Sequence, residues 1–238
     1  MNLNDIESFK YKGIAKGIVE DLNNNINGRV ALNNMLQSTH VLYIIKNLLG
    51  DKCKTVLEIG TLWGGALLTM MQTEYKSKFV SIDMFEGFYP ELLGEGNSDQ
   101  NFGVNTLELV TENIEKNNEW KHEYDLIKGS SHDSKVINYV KENYPEIDLL
   151  FIDGDHTKKG VLQDWHDYSN LVTKGGIVVF DDYWVGKYEK AAWRKEDDDG
   201  VKWMDVVGAV DEIINNKTFL KNWKDVGLFG DKKIIERL

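Results

Sequence analysis

The feature that most constrains this chain is a series of five short apolar runs separated by longer polar–apolar segments. The runs are "KTVLEIG", "KFVSIDMF", "YDLIKGSS", "IDLLFIDGD" and "GGIVVFDDYW", and each ends in glycine or a polar residue. The intervening stretches, such as 106–117 and 159–171, suit helices. Strand and helix in alternation argue a parallel sheet covered on both faces. The near-continuous hydrophobicity of the runs agrees, because strands buried on both faces need not alternate. The last residues, "NWKDVGLFGDKKIIERL", read as two strands joined at Gly230-Asp231, a closing antiparallel hairpin. The expectation is a doubly wound, Rossmann-like α/β fold with a seven-stranded, mainly parallel sheet.

The first fifty residues read differently. "GRVALNNMLQSTHVLYIIKNLLG" carries Val30, Met35, Leu36, Val41, Leu42, Ile45 and Leu49, the last four linked by three- and four-residue steps, with Gly50 as a stop. The expected organisation is a helical N-terminal cap over 1–50 and one α/β domain over 51–238.

Composition narrows the partners. The formal net charge is −11, whereas duplex binding draws most of its affinity from Lys and Arg against phosphates. Nucleic acid is therefore disfavoured as the main partner. No apolar run approaches the ~18 residues of a membrane helix, and "MNLNDIESFK" lacks the basic start and apolar block of a signal peptide. Cys53 is the only cysteine, which excludes an internal disulfide framework and a thiolate metal site. Together these features suggest a cytoplasmic protein without a membrane partner.

Open parallel sheets bind ligands beyond the carboxyl ends of their strands. Glu58, Asp83, Asp153 and the pair Asp181-Asp182 all stand at such ends, so the topology would gather them on one rim. The first strand leads into "VLEIGTLWGGALL", a glycine-rich turn and then a helix. Gly60 suits the tight turn; Gly64 and Gly65 would let backbone amides approach a ligand. Thr61-Leu62-Trp63 after Gly60 break the dinucleotide pattern, and Glu58 would repel a diphosphate while favouring an amino-bearing ligand. Asp83, 25 residues past Glu58, suits the hydroxyls of a ribose. A nucleoside with a charged amino-acid tail fits both acids better than a dinucleotide.

"VLEIGTLWGG", "SIDMF", "FIDGDH" and "GGIVVFDDYW" resemble the class I S-adenosylmethionine-dependent methyltransferases. Among these, the chain looks most like the metal-dependent macrocin and mycinamicin sugar O-methyltransferases and their cephalosporin-biosynthesis relatives, over 55–183. The resemblance implies that Glu58, Gly60 and Thr61, with Trp63 and Gly64 in the same loop, border the methionine part of S-adenosylmethionine. It implies that Asp83 holds the ribose, that Ser131 and His132 lie by the adenine, and that Asp153 reaches the cofactor from the fourth strand. A homo-oligomer stays open, since related enzymes often assemble.

Three carboxylates, Asp153, Asp181 and Asp182, remain for the other side of the pocket. Hard oxygen ligands suit Mg²⁺ or a similar divalent cation, which would also relieve their mutual repulsion. His156, three residues after Asp153, is placed to take a proton from a substrate hydroxyl, and related enzymes carry a His or Lys base at that offset. Asp155 is more simply a helix cap or an orienting partner for His156. Acids after strands are common turn and cap residues, so it is their convergence on one rim that argues for a site.

The aromatic-flanked charge run within 183–205 is expected to form a lid over the acceptor pocket. The expected function is an S-adenosylmethionine- and Mg²⁺-dependent O-methyltransferase acting on a hydroxylated small molecule, a sugar or glycosylated metabolite. A metal-independent or nitrogen-directed methyltransferase is the nearest alternative. An NAD-dependent dehydrogenase or epimerase, or a non-catalytic nucleoside-binding protein, is more distant.

Overall fold

A computed structural model of the chain describes residues 1–10, 12–30, 36–86, 105–183 and 205–238. The five apolar runs are strands β1 (Thr55–Ile59), β2 (Lys78–Asp83), β3 (Glu123–Lys128), β4 (Ile147–Ile152) and β5 (Val172–Phe180). The closing hairpin is β6 (Trp223–Phe229) and β7 (Lys232–Arg237). They form one seven-stranded sheet in the order β3-β2-β1-β4-β5-β7-β6. β1 to β5 run parallel; β7 is antiparallel to both β5 and β6. Strand order reverses between β1 and β4, and a sheet of this kind opens a crevice at that switch point.

Alternate residues of the central strands enter two cores, because successive side chains point to opposite faces. Val56, Phe79, Leu149, Phe151 and Val179 pack in one core with α1 (Leu3–Glu7), α2 (Lys12–Asn25), α3 (Leu36–Leu49), α4 (Gly65–Met71) and α5 (Leu107–Asn117). Leu57, Val80, Ile82, Leu150 and Val178 pack in the other with α6 (Ser134–Asn143), α7 (Lys158–Tyr168) and α8 (Val206–Ile214). The first fifty residues contribute Ala15, Val19, Val41 and Leu42 to the first core. They build a layer of the sheet's own covering.

Local chemistry sets where helices begin. Thr106 Oγ1 accepts from the amide of Leu109, and Thr157 Oγ1 accepts from Gly160, each meeting an amide the first turn leaves open. The cap of α7 is thus Thr157. Asp155 holds the Thr157 amide at 2.9 Å instead of capping the helix itself. The helix expected from residue 30 is observed from Leu36, with 31–35 outside the described residues. Among the described residues, no helix is long and apolar enough to cross a membrane.

Candidate active site

The register of the sheet builds the site. Ile59 lies opposite Ile82 and Ile152, and Ile152 lies opposite Phe180. One step further along each strand stand Asp83, Gly60, Asp153 and Asp181, in a single row. Strands in a sheet are about 4.8 Å apart, so Asp83 and Asp153 flank Gly60 at about 10 Å from each other. Of the acids expected on one rim, Asp83, Asp153 and Asp181 stand in this row, while Glu58 lies two residues before Gly60, opposite Ser81 and Phe151.

Gly60 is the gap in that row. Its φ is +89°, its amide donates to the carbonyl of Ile82 at 2.9 Å, and a Cβ there would lie 2.1 Å from the carbonyl oxygen of Asp153. Asp83 holds the loop that follows. Its Oδ2 accepts from the amides of Thr61 at 2.8 Å and Leu62 at 3.1 Å; its Oδ1 accepts from the amide of Phe85 at 2.7 Å and Nδ2 of Asn105 at 3.2 Å. A carboxylate offers about four acceptor positions, so its own chain already engages them. Leu62, Phe85 and Asp182 have φ near +50° without being glycine. Such conformations cost about 1–3 kcal/mol each and persist where surrounding structure imposes them.

Glu58 is fully buried beneath this loop and does not line its open side. Ser81 Oγ donates to its Oε2 at 2.5 Å, and the Ser81 hydroxyl also pairs with that of Thr61. Burial raises the Glu58 carboxyl from its ordinary 4.5 to about 8, with the nearby charges of Asp153 and Asp83 adding to the rise. Trp63 is also buried, its ring against Gly28, and its carbonyl accepts from Asn113 Nδ2 at 3.0 Å. Thr61 and Gly64 are buried in the same loop.

Across Gly60, His156 Nε2 lies 3.1 Å from Asp153 Oδ1 and 3.6 Å from Asp182 Oδ2. Asp153, His156 and Asp182 each offer a ligand-type atom, all within 4.8 Å of one another. Burial opposes charge on His156, but the hydrogen bond to Asp153 and the charges of Asp182 and Asp181 outweigh it and push the imidazole up to about 9. Burial raises the Asp153 carboxyl above its ordinary range and Asp181 well above it.

The three expected metal ligands do not form one group. Asp181 joins Asp182 and Asp231, again with ligand-type atoms within 4.8 Å, so Asp182 is shared between two clusters. Asp181 Oδ1 also accepts from the ammonium of Lys232, which is 1% exposed.

Where the adenine is expected, the amide of Gly129 donates to the carbonyl of Asp83 at 2.9 Å and brings the loop after β3 beside β2. His132 Nε2 lies 3.1 Å from Oδ1 of the buried Asp164, which raises the imidazole's pKa against its burial. The Ser131 carbonyl accepts from the Tyr168 hydroxyl at 2.6 Å. Of the expected lid, 183–205, residues 184–204 lie outside the described residues. Its two borders reach the site: the amide of Asp205 donates to the His156 carbonyl, and that of Tyr183 to the Asp231 carbonyl, both at 2.9 Å.

A sequence profile described as a methyltransferase domain matches residues 57–183, more than half of the 238. The chain belongs to the methyltransferase-domain family. An uncharacterized protein of Acanthamoeba polyphaga mimivirus is 34% identical over 144 residues, covering 60% of this chain and 58% of that protein. The chain thus spans less than two thirds of that relative's length. A Klebsiella pneumoniae chain superposes with a TM-score of 0.63 at 16% identity, over 93% of this chain and 89% of that one. An O-methyltransferase from Bacillus cereus, solved with SAH, gives 0.58 at 15% identity over 98% and 94%. The MycE methyltransferase of the mycinamycin pathway, solved with Mg and SAH, gives 0.53 at 16% identity over 87% of this chain and 50% of that one. At these identities the likeness is one of fold, and it agrees with the class I architecture expected from the motifs.

Sequence reasoning passed over Lys232, Asp231 and Asp164. "GDKK" reads as a polar turn, yet its lysines open a strand that ends up buried, and Asp164 sits inside an amphipathic helix. Lys232 had one available signal, a cation opening the last strand of a chain in which β2, β4 and β5 end at or just before an acid.

Proposed function

We propose that the protein is an S-adenosylmethionine- and Mg²⁺-dependent O-methyltransferase acting on a hydroxyl of a small molecule, a sugar or glycosylated metabolite. The observation that carries the reading is the convergence of Asp153, His156 and Asp182 beside the Gly60 loop, in the crevice of a methyltransferase-domain sheet. The donor set fits a divalent cation: carboxylate oxygens and an imidazole face one another, and burial disfavours the charged form of Asp153, a cost that a cation would offset. Asp153 and Asp182 would hold the ion, with Asp181 at its border. The expected cofactor contacts stand on the other side, from Gly60 and Thr61 through Asp83 to Ser131 and His132. Ribose hydroxyls would exchange with some of the donors that Asp83 now accepts from.

S-adenosylmethionine supplies an electrophilic methyl, and the cation supplies neutralising charge beside the acceptor oxygen. The remaining steps belong to this chain. His156 Nε2 would take the hydroxyl proton as the acceptor is methylated, once a bound cation offsets the carboxylate charge that otherwise holds a proton on the imidazole. Asp153 and Asp182 orient the imidazole and stabilise its charge. The same geometry suits His156 as a ligand, which would pass the proton to solvent.

A metal-independent methyltransferase is the second reading, favoured by the Lys232 ammonium already lodged against Asp181. The test is a calorimetric titration of S-adenosylmethionine with Mg²⁺ and then with chelator, followed by turnover of a hydroxylated acceptor. Micromolar binding in both conditions is expected, with turnover lost on chelation. In Asp153→Ala, divalent-dependent turnover should vanish while cofactor binding largely survives. No binding of S-adenosylmethionine in either condition sinks the reading; turnover that survives chelation selects the second.

A further inference from the structure

Phe180 of β5 pairs with Lys233 of β7 in an antiparallel register, so the next residue pair is Asp181 opposite Lys232. The acid row therefore ends in a cation. Lys232 is 1% exposed, and its ammonium lies against Asp181 Oδ1, 2.9 Å from Asp231 Oδ1 and 3.5 Å from Ser38 Oγ. An ammonium has three N–H donors, and these three oxygens match them. Ser38 Oγ in turn donates to Asp231 Oδ1 at 2.5 Å, tying α3 to the hairpin turn. Among the described residues, the second oxygen of Asp231 is buried with no hydrogen-bond partner.

This half of the acid cluster has the composition of a cation site: Asp181, Asp182 and Asp231, with ligand-type atoms within 4.8 Å of one another. Its occupant is a side chain. A buried ion in such a place is tolerated only when paired, and here one ammonium faces two carboxylates.

We propose that Lys232 is the resident cation of the Asp181–Asp231 half of the cluster, a positioning residue that confines an added divalent ion to the Asp153–Asp182 half. The inference builds on the divalent-cation reading above. Lys232 and the amide of Asp182 both bear on Oδ1 of Asp181, so the ammonium sits next to the carboxylate shared by the two clusters. Its charge repels the incoming ion and sets how tightly it is held. One divalent ion per chain follows, because the second group of acids is already served.

The experiment compares the full-length protein with Lys232→Met by calorimetric titration of Mg²⁺ alone, without acceptor or cofactor, and by melting temperature in chelator and in Mg²⁺. The wild type should take one ion. The variant should melt lower in chelator, recover on Mg²⁺, and bind Mg²⁺ at least about tenfold more tightly or take a second equivalent, as expected for a unit charge removed from a poorly screened site. Equal affinity and stoichiometry in the two proteins would overturn the inference while leaving metal dependence intact. Binding by the variant alone would overturn the confining role and remove metal dependence from the function, because Lys232 would then have replaced the ion outright. Binding by neither would overturn both. Should Lys232→Met fail to fold, Asp231→Asn offers a milder change. With Asp231 neutral, Lys232 bears on Asp181 alone, and Mg²⁺ affinity should fall about tenfold; unchanged affinity would refute the role.

Discussion

Gly60→Ala should destabilise the protein far more than the same change at Gly175, although both glycines have nearly the same backbone conformation. Their φ values are +89° and +79°. A left-handed conformation costs an L-residue about 1–2 kcal/mol, and the smaller entropy of the unfolded alanine chain returns about 0.4–1 kcal/mol. At Gly175 nothing lies within 4 Å of an added Cβ, so the net loss should be about 1 kcal/mol or less. At Gly60 the Cβ would meet the Asp153 carbonyl oxygen at 2.1 Å, its carbon at 2.6 Å and Gly154 Cα at 2.8 Å. These are backbone atoms at the end of a hydrogen-bonded strand and cannot swing aside as a side chain would. Forcing them apart adds roughly 1–3 kcal/mol, the usual range for overpacking. In a domain of this size each kcal/mol moves Tm by about 2–4 °C, so Gly60→Ala should melt roughly 2–12 °C below Gly175→Ala. Urea denaturation and calorimetric melting of the two variants beside the wild type provide the assay. Equal losses would refute the close approach of the β1 loop to β4, on which the geometry of the site depends.

Other predictions concern single groups. Glu58 binds its proton more tightly in the folded chain than in the unfolded one, so stability falls as pH rises from 4.5 to about 8 and is level beyond. The loss is on the order of 5 kcal/mol at most for such a shift. Glu58→Gln should flatten that slope and leave the variant more stable than wild type at pH 9; parallel stability curves would count against a buried protonated acid. His156→Ala should lower kcat by roughly 10²–10⁴, the range for loss of a general base. A tenfold or greater weakening of Mg²⁺ binding in that variant, measured without acceptor, would instead mark the imidazole as a ligand.

The strands, their order along the chain and the acids that end them were legible in the sequence. Each rests on local information: short apolar runs, a glycine where a turn must be tight, a carboxylate where a run stops. "FIDGDH" and "FDDY" placed Asp153, His156, Asp181 and Asp182 at the same end of the sheet because parallel strands share a direction. The borders of α7 were less legible, since Asp155 and Thr157 both suit a cap and only the folded loop shows which amide each meets.

Tertiary structure alone decided the partners of those residues. Register, a relation between segments far apart in the chain, brought Lys232 opposite Asp181 and Ser38 against Asp231. It thereby divided one apparent set of metal ligands between two clusters. Glu58 reads as a pocket acid in the sequence, yet its position beneath the loop depends on Ser81 and Thr61 closing over it. His132 acquired a buried counter-charge from a helix more than thirty residues away, Asp164. A sequence specifies where charge is placed along the chain; how strongly that charge is felt depends on burial and on what faces it, and both arise only when the sheet is assembled.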